Sequence, residues 1–167
     1  LTHSLNLFAL DAERSALGYR SNRVGQADPM FERDLIHGDF NNFGFEYKIL
    51  SKKKMFKLRN ASLLGIKFYE SNNKNEQGPG SDGIDANFNF QYEDFPNYTN
   101  QSSYNYPNMN FSFFGENVFY IDEKTSITPG FRFEYIDTRS NGSYTKMLFD
   151  GANNLIFDTL IYNQDRN

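Results

Sequence analysis

Cysteine and tryptophan are absent, and histidine occurs only twice, at His3 and His37. Without cysteine there is no disulfide framework, no thiolate metal site and no thiol nucleophile. No apolar run approaches the roughly 18 residues that a membrane-spanning helix requires. There is no basic excess either: 17 Lys+Arg stand against 21 Asp+Glu, a net charge of −4. With no basic run, nucleic acid is not an expected partner. The G-x-S-x-G signature of a nucleophile elbow is also missing. A hydrolytic triad would need Ser, His and an acid in contact. His37, near the head of a strand, is read instead as an interfacial or loop-side residue, and no enzymatic activity or cofactor is expected. What the chain has in abundance is aromatic residues, 18 Phe and 11 Tyr among 167. That composition excludes intrinsic disorder, whose signature is few aromatics. The start at Leu1 without Met or a signal-peptide pattern, and the polar end at Asn167, suggest a piece of a longer chain.

Alternation dominates the pattern. In SITPGFRFEYI (126–136), Ile127, Pro129, Phe131, Phe133 and Tyr135 fall on one face, and Thr128, Gly130, Arg132 and Glu134 on the other. Strict period-2 alternation of this length predicts a half-buried strand. Residues 42–50 repeat it, with Phe43, Phe45, Tyr47 and Ile49 against Asn42, Gly44, Glu46 and Lys48. So do residues 61–70, with Leu64, Ile66 and Phe68 against Gly65, Lys67 and Tyr69. Residues 110–121 alternate less cleanly, because Phe114 and Val118 share a face with Glu116; a β-bulge near Gly115 would reconcile them. Residues 5–19 fit a strand, although Leu7, Leu10 and Leu17 also fit a helical stripe.

About five strands are therefore expected, joined by two kinds of connection. SKKKM (51–55) and DEKTS (122–126) are short and charged, whereas 20–32, 71–107 and 137–167 are long. Strict alternation of short and long connections suits an up-and-down sheet with its long loops on one side. A strand of about ten residues rises roughly 33 Å, and a tilt of about 45° leaves roughly 23 Å of height. That matches the roughly 25 Å apolar band of an outer-membrane barrel. The expected fold is all-β, part of a large antiparallel transmembrane β-barrel. A soluble β-rich module, with the apolar face against a second sheet, is the alternative.

Several motifs invite a sharper reading. Gly78-Pro-Gly-Ser-Asp-Gly83 matches G-x-G-x-x-G, but polar loop sequence flanks it where a dinucleotide site needs a strand and then a helix. Asp82, Asp85 and Asn87 offer oxygen ligands without the spacing of a calcium loop, so no metal is expected. Sequons at Asn60, Asn97, Asn100, Asn110 and Asn141 are what an Asn-rich chain produces by chance. Arg132 and Glu134 are read as a pair that keeps lumen charges satisfied, or as a network touching cargo. The Tyr- and Asn-rich stretch 87–106 is either a capturing lid or a loop folded on its neighbours.

The hairpin NMNFSFFGENVFYIDEKTSITPGFRFEYI resembles the strand-turn-strand element of TonB-dependent outer-membrane receptors. LFALDAERSALGYRSNR, with GDFNNFGFEYKIL and LLGIKFYES, resembles more narrowly their ferric-dicitrate-receptor-like branch. The resemblance covers most of residues 5–136. It implies that residues 1–167 are a partial barrel domain of a longer receptor in the Gram-negative outer membrane. The plug domain, the TonB-contact segment and the C-terminal strand of that family are not in this chain. The implied activity is import of a ferric chelate, iron dicitrate or a siderophore. The implied partners are that chelate, membrane lipid and lipopolysaccharide, and the TonB complex through other parts of the receptor. A passive outer-membrane channel and a soluble carbohydrate-binding module are the alternatives.

Between residues 71 and 107 only Lys74 is positive, against Glu76, Asp82, Asp85, Glu93 and Asp94. That loop is a poor place for an anionic chelate. The expected substrate-binding residues are Arg14, Arg20 and Arg23 beside the first long loop, with Arg33 nearby and Arg132 deeper in the lumen.

Overall fold

A computed structural model describes residues 1–19, 24–28, 30–55, 58–83 and 87–163. The chain is all-β, 71% strand, with no helix among the described residues, and its antiparallel sheet is open. The strands are β1 (Thr2–Gly18), β2 (Asp34–Met55), β3 (Leu58–Pro79), β4 (Ser102–Tyr120), β5 (Ser126–Ile127), β6 (Gly130–Thr138), β7 (Asn141–Phe149) and β8 (Leu155–Asn163). The order across the sheet is β1-β2-β3-β4-β7-β8, with β5 and β6 also paired to β4. Residues 5–19 are thus strand and not helix.

The strands outrun the alternating segments that announced them. β3 takes in residues 71–79 and β4 begins at Ser102, so the connection expected over 71–107 contracts to residues 80–101. The loop expected over 137–167 is replaced by β7 and β8, joined through a tight turn. The added part of β3 is polar on both faces, so no apolar period marks it; β7 and β8 do carry apolar residues, at 147–149, 155–157 and 160–162, but in runs rather than in strict alternation.

One register runs through the whole partnership of β4 with β5, β6 and β7. It extends from Tyr120↔Ser126 through Glu116↔Gly130 and Asn108↔Thr138 to Ser102↔Tyr144 without a shift. The breaks between those three strands fall opposite or at prolines, which have no N–H to donate. Across them the ladder continues in the other direction, Asn117 N–H to Pro129 O at 3.0 Å and Arg139 N–H to Pro107 O at 3.0 Å. No bulge occurs near Gly115 on this side. Phe114 is on the same face as Arg132, and its ring covers Gly65.

Two compact units divide the chain. The first comprises Leu1–Leu10, Asn41–Ser71 and Asn108–Thr138; the second comprises Asp11–Phe40, Asn72–Pro107 and Arg139–Asn167. In the first unit one face is aromatic. Phe68 meets Phe43 and Phe45, Phe131 meets Phe113 and Phe133, and His3 stacks on Tyr47. These rings remain open to solvent, Phe133 at 68%. In the second unit the loops fold around Leu35, the one hydrophobic side chain fully buried among the described residues.

The accessible surface is 12128 Å² for a 19.4 kDa chain. A monomeric soluble protein of that mass exposes about 8,500 Å².

Candidate functional site

The other face of the first unit carries the charges expected to line a lumen. Gly44 lies against the ring of Phe8 and the backbone of Phe68, too close for any Cβ, and Gly65 is covered in the same way by Phe114. Each aromatic therefore lies flat across a glycine of its neighbouring strand. Phe8 also stacks on Tyr69, with Lys67 Nζ 5.8 Å from its ring centre. Arg132 is 5.5 Å from the ring centre of Phe114. A cation over a ring face is attracted by the ring's quadrupole. The same guanidinium donates to Glu134 from Nε at 2.9 Å and from Nη2 at 2.5 Å. Glu46 and Lys48 form a further pair at 2.6 Å. Arg132 and Glu134 thus pair along one strand, and a charged cargo would have to compete with that pair.

In the second unit, loop residues converge on two side chains. Arg33, nearly buried, donates to Asp28 at 2.5 Å and to the carbonyl of Gly83. Its backbone bonds Ser81 O and accepts from Gly80 N–H. Met30 N–H and Arg33 together hold the Asp28 carboxyl below the usual range. Arg33 is therefore a staple between the two long loops, not a cation offered to cargo. Asp34 Oδ1 accepts from Tyr98 Oη, from Gln77 Nε2 at 3.2 Å and from Asn100 Nδ2 at 3.4 Å. Burial, and then the bond to Asp34, push the Tyr98 phenol above its ordinary value. Burial and the charge of Glu76 raise Tyr92 in the same direction. Within the stretch 87–106, Tyr98 and Asn100 are thus tied to β2 through Asp34.

Of the predicted substrate-binding residues, Arg14 is exposed on β1 with its guanidinium 5.6 Å from the ring centre of Phe40. Arg20 and Arg23 lie outside the described residues. Arg132 is in the other unit. Asp85 of the proposed calcium set is likewise outside the described residues. Among the described residues no three His, Asp or Glu side chains are placed to hold a metal ion. The glycine motif is the end of β3 entering a loop, with no helix after it.

His37 has more company than a lone interfacial histidine. Ser15 Oγ is 2.9 Å from its Nδ1, and Asp39 Oδ1 is 3.0 Å from its Nε2. The three side-chain types of an acyl-transfer triad are therefore in contact, which sequence spacing did not reveal. Such a triad also needs N–H donors aimed at the developing oxyanion. Ser15 is on β1, and His37 and Asp39 are on β2. The trio reads as a polar cluster on neighbouring strands.

The Asp34 hub and the glycine-spanning rings were not foreseen. Their partners lie tens of residues apart, and no local spacing connects them. No known family, curated protein or solved structure matches this chain.

Proposed function

We propose that this chain is part of the transmembrane barrel of a TonB-dependent receptor, importing a ferric chelate across a Gram-negative outer membrane, and is not an enzyme. One observation carries the reading. An antiparallel sheet presents an aromatic face that nothing among the described residues covers, over a stretch matched in length to the apolar band of a bilayer. A soluble binding module would cover that face with a second sheet. The resemblance of the hairpin and of the first three strands supplies the receptor class and the iron cargo. Further strands of the same receptor close the open edges at β1 and β8, and lipid and lipopolysaccharide surround the rings. Cargo meets Arg14, Arg20 and Arg23 first and Arg132 deeper. Energy coupling reaches the barrel through parts of the receptor outside this chain.

The test is growth under iron limitation with ferric citrate as sole iron source, in cells carrying the full-length protein. Arg14→Ala should weaken chelate binding by about 1.5–3 kcal/mol, the worth of a charged hydrogen bond. Arg132→Ala should cost less, because Glu134 already engages that guanidinium. Growth and binding unchanged in both variants would remove these residues from the cargo path. Uptake that survives loss of the energy-coupling complex would identify a passive channel.

A further inference from the structure

We propose that the turn-side end of the charged face holds a further site for an anionic chelate, in which Lys52, Lys54 and Arg59 engage the carboxylates of a small polycarboxylate-metal complex. The inference rests on the import reading, since only a closed barrel turns this face toward a lumen that cargo crosses.

Strand alternation assembles the cations. Lys52 and Lys54 continue the series Gly44, Glu46 and Lys48 of β2, and Arg59 begins the series that leads to Gly65 and Lys67 of β3. The Arg59 guanidinium lies 5.7 Å from the ring centre of Tyr120, which follows Phe114 at even spacing along β4. All four side chains therefore share the face of Phe114 and Arg132, while Lys53 falls on the aromatic face. With Ala61 they line a cleft of about 350 Å³, and no carboxylate lines it.

Charge in the cleft is unbalanced. Farther from the turns on the same face, Lys48 pairs with Glu46 at 2.6 Å and Arg132 with Glu134 at 2.5 Å. No ion pair among the described residues engages Lys52, Lys54 or Arg59. Like charges side by side on one face of a sheet repel each other. Long side chains spread into water and soften that repulsion, and what remains is a positive potential with no counter-charge in the wall.

The occupant that fits brings negative charge on several atoms, because the cations come from separate positions on two strands. A polycarboxylate chelate does so. Arginine offers a planar fork to one carboxylate, and each lysine a mobile ammonium to another. A compact anion engages fewer of them. The hold is weak and salt-sensitive, since all three cations are exposed. Weak binding suits the far end of an import path. Phe114, opposite Arg132 in the ladder, stands six residues before Tyr120, roughly 20 Å along the strand. Cargo that has competed with Glu134 for Arg132 then meets cations with no partner to displace, and leaves them readily.

The experiment is lysine footprinting of the full-length protein in detergent at low ionic strength. An acylating reagent is applied with ferric citrate, with inorganic phosphate or with neither, and each lysine is read by mass spectrometry. Ferric citrate should slow acylation of Lys52 and Lys54 about threefold or more and leave Lys53 and Lys124 unchanged. Phosphate should need about tenfold more for the same effect, because it engages fewer cations. Arg59→Gln should raise the ferric citrate needed for half protection about three- to tenfold, with both lysines as reporters. Lys52→Gln should do the same with Lys54 as reporter. Equal slowing of all four lysines is diffuse screening and overturns the site, as does protection that neither variant moves. Phosphate acting at the same concentration as ferric citrate overturns the chelate assignment. Lysines already unreactive before any anion is added also overturn it, because another part of the receptor then fills the cleft. Heat-modifiable gel mobility of the same sample separates the two readings: a folded barrel whose lysines ignore ferric citrate refutes only this site. A protein that stays soluble without detergent refutes the barrel, and the lumen site with it.

Discussion

At the scale of single residues, alternation on β6 makes opposite demands on neighbours. Phe133 lies against Phe131 on the aromatic face, directly across from Phe113, while Arg132 and Glu134 pair on the other. This partition was legible in the sequence because the apolar face keeps its character for five alternate positions and the polar face for four. In a barrel, alternation separates lipid from lumen. Phe133→Arg should therefore destabilise the full-length protein by about 2–4 kcal/mol near the midplane, and by less toward an interface. Arg132→Phe should cost less: it takes the partner from Glu134, but both side chains are open to water, where an ion pair is worth about 1 kcal/mol or less. Urea unfolding from bilayers measures both; the reverse ranking would exchange the two faces. Phe114 was harder to read. Its ring on the charged face breaks the alternation, and Gly65 on the neighbouring strand makes room for it. A sequence shows a glycine and a phenylalanine, but not that one makes room for the other.

At the scale of elements, the apolar halves of the strands were legible and the polar halves were not. In β2 the alternate series Tyr47, Phe45, Phe43 continues upstream as Asn41, Asp39 and His37; in β3 the series Leu64, Ile66, Phe68 continues as Glu70, Asn72 and Lys74. Both series turn polar close to where the second unit begins. Strand pairing persists there because ladder hydrogen bonds do not depend on side-chain polarity, and loops of lengths read from hydropathy come out too long. The shortened loop is held in place by Asp34. Asp34→Ala removes the acceptor of Tyr98, Gln77 and Asn100, and should lower local stability by about 1.5–3 kcal/mol. Hydrogen exchange over residues 87–101 should then quicken about 10- to 100-fold, while β6 stays unchanged; no change would detach the loop from that hub. The turns rest on a different aspartate device. Asp122 accepts from Lys124 N–H and Thr125 N–H, each at 2.8 Å, and Asp150 accepts from Ala152 and Asn154 in the same manner. These bonds hold both carboxyls below the ordinary value of 3.8. A lowered folded-state value means that the turn's contribution is complete above pH 3.8 and is lost as pH falls through the lower folded value. Protection of the Lys124 and Thr125 amides should follow that course in acid. Asp122→Asn keeps an acceptor and should remove the pH dependence; a persisting transition would assign it to another group.

At the scale of the whole molecule, surface decides the argument. The chain exposes about 12128 Å² where a soluble monomer of its mass exposes about 8,500 Å². Among the described residues Leu35, near the start of β2, alone is a fully buried hydrophobic side chain. A sheet that buries so little apolar surface cannot offset the conformational entropy of ordering its residues in water. Among the described residues the open edges at β1, β8 and the side of β6 away from β4 add unpaired N–H and C=O groups that recruit other chains. The 167-residue chain alone should therefore aggregate in water and stay dispersed only in detergent or lipid, or when joined to the strands that flank it in a complete barrel. Sedimentation and thermal unfolding without detergent measure this directly. The soluble alternative requires the opposite result: a monodisperse monomer that melts cooperatively, with the aromatic face covered by loops or by a second copy. That result would also withdraw the faces assigned to Phe133 and Arg132, because alternation separates lipid from lumen only where there is lipid. Aggregation alone would leave a poorly folding soluble domain as a rival. The decisive pair is therefore aggregation of the isolated chain together with a heat-modifiable, detergent-stable form of the full-length protein, since a soluble domain has no reason to give the second.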